Sequence, residues 1–160
     1  MKYAHLVQIN DLLNPLIDAL SREQLWQGLK LRAYDPKQFV IGLDRFELLS
    51  QSENGLEREL HFGHLTVRDK VTFTPLSQVR YEVQAAGEVP AATLVTTIEE
   101  PEPDQLFVRF EYDTRPVDGA PPVEPYYQQF MKEAYKEADI DAIRIIRRLV
   151  AEGKLGAILS

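Results

Sequence analysis

LERELHFGHLTVRDKV, residues 56–71, alternates apolar and polar side chains around a central Gly63-His64 pair. Alternation at period two marks strands with one buried face. A two-residue connection with glycine first suits a type II′ hairpin turn. That turn sets the register: Phe62 opposes Leu65, Leu60 opposes Val67, Arg58 opposes Asp69 and Leu56 opposes Val71. These residues share one face. The other face, Glu57, Glu59 and His61 against Thr66, Arg68 and Lys70, is wholly polar and meets water. Arg58 and Asp69 therefore stand opposed on an inward, otherwise apolar face, at a spacing where opposite charges pair.

Outward from this hairpin the same period continues. Leu43–Gln51 precedes Leu56–Phe62, and Val79–Ala86, Ala92–Glu99 and Gln105–Asp113 follow Leu65–Thr74, with turn-rich breaks between them. Tyr3–Ile9 reads as a further strand at the start of the chain. Consecutive strands on short loops form an antiparallel meander, because parallel neighbours need long crossovers. Alternation turns Val79, Tyr81 and Val83 inward, then Leu94, Thr96 and Ile98, then Leu106, Val108, Phe110 and Tyr112. Tyr81, Thr96 and Tyr112 thus add hydroxyls to an apolar wall, as small-molecule pockets and ordinary β-cores both do.

The flanks are helical. Leu16–Leu20 reads as a short helical turn. Ser21 and Gln24 form a capping box, with Leu20 and Leu25 as its hydrophobic staple. A helix over Arg22–Ala33 follows, with Leu25, Leu29 and Trp26 inward, and Pro36 separates it from a short helix over Lys37–Val40. The stretch Arg115–Pro125 holds four of the chain's ten prolines and is a loop. A long helix, Glu124–Glu152, ends where Gly153 supplies the left-handed residue. It spans roughly 40 Å. Its apolar stripe at 3.6 spacing is Tyr127, Phe130, Ala134, Ala138, Ala142, Ile145 and Leu149. The central alanines either let the helix lie close on the sheet or leave a void beneath it. One face of a curved antiparallel sheet needs a cover, and only this helix is long enough. The expected fold is α+β: a helix grip of about seven strands wrapped around the C-terminal helix, with two short helices after the first strand.

Composition narrows the function. The chain has 160 residues, suited to one domain over 1–160. Eighteen Lys and Arg against 25 Asp and Glu give a net charge of −7, a poor match to nucleic acid or an anionic membrane. With no cysteine there is no disulfide framework, thiol nucleophile or sulfur-built zinc site. No apolar run approaches a membrane span, and MKYAHLVQIN lacks a signal-peptide core, so a cytoplasmic protein is expected. His5, His61 and His64 lack metal-ligand spacing: His5 lies on a strand near the sheet edge, His61 faces solvent and His64 sits in a turn. GxSxG, P-loop and GxGxxG patterns are missing, and no cofactor is expected. Arg144, Arg147, Arg148 and Lys154 read as cations complementing a helix C-terminus.

Leu20–Phe39 (LSREQLWQGLKLRAYDPKQF), Leu56–Gly63 (LERELHFG), Val67–Val71 and Ala134–Leu149 resemble the START-like SRPBCC superfamily, most of all its AtaL-like branch. The resemblance runs over nearly the whole chain. It implies a helix grip with a cavity between sheet and helix, and relatives that bind lipids, hormones or polyketides. It does not imply a reaction.

The expected function is therefore to bind a small apolar or amphipathic molecule in that cavity. Expected lining residues are Arg58 and Asp69 as polar anchors, with Leu60, Phe62 and Val71 beside them. Tyr81, Thr96, Val108, Phe110 and Tyr112 come from later strands, Trp26 from the first helix, and Phe130, Ala134 and Ala138 from the last. Two alternatives stay open: a polyketide cyclase or dehydratase acting through Arg58, Asp69 and Tyr81, or an interaction module with a filled core and acidic strand surfaces. The Arg58–Asp69 pair either anchors a ligand or only sets strand register.

Overall fold

The protein is described by a computed structural model over residues 1–155; residues 156–160, the end of the expected domain, lie outside the described residues. Strand β1 (Lys2–Gln8) is followed by α1 (Arg22–Tyr34) and a single 3-10 turn at Pro36–Gln38. The meander comprises β2 (Arg45–Ser52), β3 (Gly55–Phe62), β4 (Leu65–Thr74), β5 (Gln78–Val83), β6 (Ala92–Glu99) and β7 (Phe107–Thr114). It leads into the long helix α2 (Pro125–Ala151). The sheet order is β1-β7-β6-β5-β4-β3-β2, antiparallel throughout, so the first strand closes onto the last. Core residues from the strands meet Ala142, Ile143, Ile146 and Leu149 of α2, which makes this a helix-grip fold. No helix among the described residues is long and apolar enough to cross a membrane.

The hairpin register is the expected one, with Arg58 opposite Asp69, Leu60 opposite Val67 and Phe62 opposite Leu65. Gly63 has φ +60° while His64 stays in ordinary backbone space, as a type II′ turn requires and a type I′ turn does not. The Asp44 carboxylate accepts from the Gly63 amide at 2.5 Å, holding the turn from the start of β2. The capping box at Ser21 and Gln24 is formed in both directions, and Leu20 and Leu25 are buried.

Two short helical segments are less regular than expected. Over Leu16–Leu20 the chain bends instead of coiling, because the side chains of Asp11 and Asn14 accept from the amides of Leu13 and Leu16 and stabilise local turns. The expected Lys37–Val40 helix is only the 3-10 turn started by Pro36. The strands expected at Leu43, Ala86 and Gln105 stop short at Arg45, Val83 and Phe107.

The larger correction concerns the face of α2. Its buried residues are Asp139, Ala142, Ile143, Ile146 and Leu149. Tyr127, Phe130, Ala134 and Ala138 are exposed, Phe130 by 60%. The inward stripe in the first half passes one residue later, through Met131, Tyr135 and Asp139, a rotation of about 100°. Apolarity alone could not set that phase, since the seam contains a buried carboxylate. Contact with α1 sets it: a Cβ on Gly28 would come within 2.5 Å of the Ile146 side chain, so only glycine lets the helices approach this closely. Ala138→Phe should accordingly shift unfolding stability by no more than ~0.5 kcal/mol in urea denaturation, as at other solvated positions. A loss of ~1–3 kcal/mol would mean that the ring meets a packed core.

Candidate functional site

Register on β3 and β4 brings Arg58 and Asp69 together, and both are 4% exposed. The guanidinium grips the carboxylate through two bonds, Nε to Oδ1 at 2.9 Å and Nη2 to Oδ2 at 2.6 Å. Its Nη1 donates to the Ala33 carbonyl at 3.0 Å, tying the sheet to the last turn of α1. The guanidinium also lies 5.1 Å from the centre of the Tyr81 ring. Burial pulls the Arg58 pKa down, but the bond and charge of Asp69 outweigh it and hold it above the ordinary arginine value. Arg58 is thus a buried charge on the inner face of the sheet, held by one carboxylate and one carbonyl.

A second cluster joins four elements. Asp139 of α2 is fully buried. Arg32 of α1 donates to its Oδ1 at 3.1 Å, and the Tyr112 hydroxyl of β7 lies 2.7 Å from Oδ2. His5 of the edge strand β1 places Nε2 2.7 Å from the same oxygen. Its Nδ1 is buried without a partner among the described residues. A hydrogen on Nε2 satisfies this geometry and leaves only a lone pair, not a donor, unpaired. The ring stacks on Phe110 with centroids 5.1 Å apart. Burial lowers the Arg32 pKa while Asp139 raises it further, so the net shift is upward.

Between these clusters lies a cavity of about 250 Å³. Arg32, Arg58, Asp69, Tyr81 and Tyr112 stand on its wall, and Leu60, Val83 and Leu94 supply apolar surface. Tyr135 of α2 lines the cavity and stacks on Tyr112 with centroids 4.1 Å apart. Tyr81 is 7% exposed, and its hydroxyl, which keeps some accessible surface, makes no hydrogen bond to any described residue.

Burial raises the pKa of both Tyr81 and Tyr112, and for Tyr112 the nearby Asp139 charge adds to it. The folded protein therefore keeps protons that the unfolded chain releases above pH ~10. Stability should be intact below that pH and fall as pH rises beyond it, because the unfolded state then binds fewer protons. Urea midpoints from pH 8 to 11 test this, and Tyr112→Phe should flatten the decline. A midpoint independent of pH across that range would contradict the placement of both hydroxyls.

Of the residues expected at the site, Arg58, Leu60, Asp69, Tyr81 and Tyr112 line the cavity. Val71, Val108 and Phe110 are wholly buried in the core, and Trp26 packs edge-on to Phe73 there. The Thr96 hydroxyl donates to the Val79 carbonyl at 3.0 Å and is not on the cavity wall. Phe62 is half-buried off the wall, and Phe130, Ala134 and Ala138 are turned to solvent by the phase of α2. Arg32, Tyr135, His5 and Asp139 escaped the sequence reading. Only one signal pointed to them: Asp139 falls in line with Ala142, Ile146 and Leu149 when the stripe is drawn without regard to charge.

A family model described as AtaL, Acetylaranotin biosynthesis cluster protein L, matches residues 7–153. No curated protein matches the sequence. Among solved structures, the di-domain ARO/CYC StfQ from the steffimycin biosynthetic pathway is similar with a TM-score of 0.70 at 9% identity, over 94% of this chain and 51% of StfQ. The chain thus spans about half the length of that protein. The Zhui aromatase/cyclase from Streptomyces sp. R1128 is similar with a TM-score of 0.61 at 14% identity, over 92% of this chain and 91% of that one. Ara h 8.0201 gives 0.62 at 11% identity, over 95% and 98%. At such identities the likeness is one of fold.

Proposed function

The chain belongs to the AtaL family, and from that premise we propose that it binds a small apolar or amphipathic molecule between the sheet and α2. One observation carries the reading: a cavity of about 250 Å³ bounded by apolar side chains and a few placed polar groups. Ligand pockets are built in this way. The volume falls slightly below the ~300–1,000 Å³ of typical ligand sites, which favours a compact occupant.

A second reading, a cyclase or dehydratase working in the same cavity, has its own support. Arg32, Arg58, Asp69, Tyr81 and Tyr112 all line the one cavity, and two of the similar structures are described as aromatase/cyclases. Such chemistry needs a group that moves a proton. Burial keeps both tyrosines protonated, and Tyr112 already gives its hydrogen to Asp139, so neither is a ready base. Binding is therefore the preferred reading.

Native mass spectrometry of the protein purified from its own source tests it. A discrete co-purifying organic mass is the expected result. An empty protein that also shows no thermal shift with a panel of compact aromatic and aliphatic compounds would end the binding reading.

A further inference from the structure

We propose that the molecule taken by this cavity is an uncharged aromatic compound bearing a phenol or ketone oxygen, anchored by the Tyr81 hydroxyl and the free N–H groups of Arg32. The inference rests on the cavity-binding reading above and adds to it the charge and polarity of the ligand.

The charges on the wall cancel. Arg58 is matched by Asp69 and Arg32 by Asp139, each at hydrogen-bond distance. An anion entering the cavity would lose its water and meet guanidiniums already neutralised by carboxylates. A cation would meet carboxylates already held by guanidiniums. Desolvating an ion without a partner is far more costly than desolvating a neutral polar group. A neutral ligand avoids that cost.

Hydrogen-bonding capacity is left over, and it has a direction. The Tyr81 hydroxyl keeps some accessible surface and has no partner among the described residues. Arg32 uses one N–H on Asp139, and a guanidinium has five. Both offer donors to the cavity. Tyr112 gives its hydrogen to Asp139, so towards a ligand its oxygen can only accept. The wall thus complements an oxygen that accepts from Tyr81 or Arg32, and a hydroxyl hydrogen that Tyr112 can take. A phenol supplies both. Tyr135, stacked on Tyr112, adds aromatic surface to the cavity lining, and such surface favours a planar skeleton.

The test compares naphthalene, 2-naphthol and 2-naphthoate, one skeleton with no oxygen, a neutral hydroxyl and an ionised carboxylate, by isothermal titration calorimetry at pH 7. 2-Naphthol should bind the wild type most tightly, ahead of both others by ~tenfold, as expected for a satisfied buried hydrogen bond without a buried charge. Tyr81→Phe removes an oxygen that no described residue uses, so its melting temperature should stay at the wild-type value. This variant should bind 2-naphthol ~three- to tenfold more weakly and naphthalene unchanged. Tightest binding of 2-naphthoate, or an undiminished affinity of Tyr81→Phe for 2-naphthol, would overturn the inference while leaving the cavity as a binding site. Failure of all three compounds to bind near their solubility limits would overturn the inference, and an absent thermal shift with compact aliphatic compounds as well would overturn the cavity-binding reading with it.

Discussion

Arg58→Met is expected to destabilise the protein by ~3–5 kcal/mol, the loss that follows when one member of a buried ion pair is removed. Methionine keeps much of the aliphatic volume, so the effect is not one of packing. It comes from Asp69, which would remain 4% exposed with neither of its two guanidinium bonds. The Ala33 carbonyl would lose its donor as well. For a domain of this size, each kcal/mol moves the melting temperature by about 2–4 °C, so a fall of roughly 6–20 °C should be seen by calorimetry. Adding Asp69→Leu removes the orphaned charge, and the double variant should return close to wild-type stability, since apolar replacements of a buried pair are often neutral. Binding of 2-naphthol then separates the two roles left open for the pair. A stable double variant that no longer binds makes it a ligand feature; one that binds normally leaves it to hold strand register. A loss below ~1 kcal/mol in the single variant would show that Asp69 reaches water, contrary to its burial here.

Asp139→Asn should cost nearly as much, about 3 kcal/mol, at the lower end of the same range. The amide retains the shape of the carboxylate but offers one oxygen where three donors converge. Arg32, His5 and Tyr112 all address Asp139, and the amide nitrogen would confront at least one of them. Arg32 keeps 13% of its side chain exposed, so its charge retains some hydration, which limits the damage. Adding Arg32→Met to Asp139→Asn should recover most of the stability, because it removes the unpaired cation. Urea denaturation of the single and double variants checks both statements. If the double variant were less stable than Asp139→Asn alone, Arg32 would be held by packing and not by the carboxylate.

The two clusters differ in how far sequence reasoning reaches them. The Arg58–Asp69 pair follows from local rules: strands have period two, a Gly-first two-residue turn sets the register, and eleven positions separate the partners. Everything needed to place them lies within one hairpin. The capping box at Ser21 and the seven-strand order of α+β elements were readable for the same reason, since turns, caps and periodicity are properties of neighbouring residues.

Asp139 is the opposite case. Its partners lie 134, 107 and 27 positions away, on β1, α1 and β7. No local pattern connects residues that meet only when the first strand pairs with the last and α1 docks on α2. Reading the helix by apolarity also turned it the wrong way, because a carboxylate is assigned to solvent unless its donors are known. That error carried Phe130, Ala134 and Ala138 into the expected site and left Tyr135 out. Local patterning is enough to place the strands, the hairpin register and the buried pair at Arg58 and Asp69. Which face of α2 lies inside, and where the cavity opens, depends on long-range packing, since burial of a charge becomes favourable only after distant donors have been assembled around it.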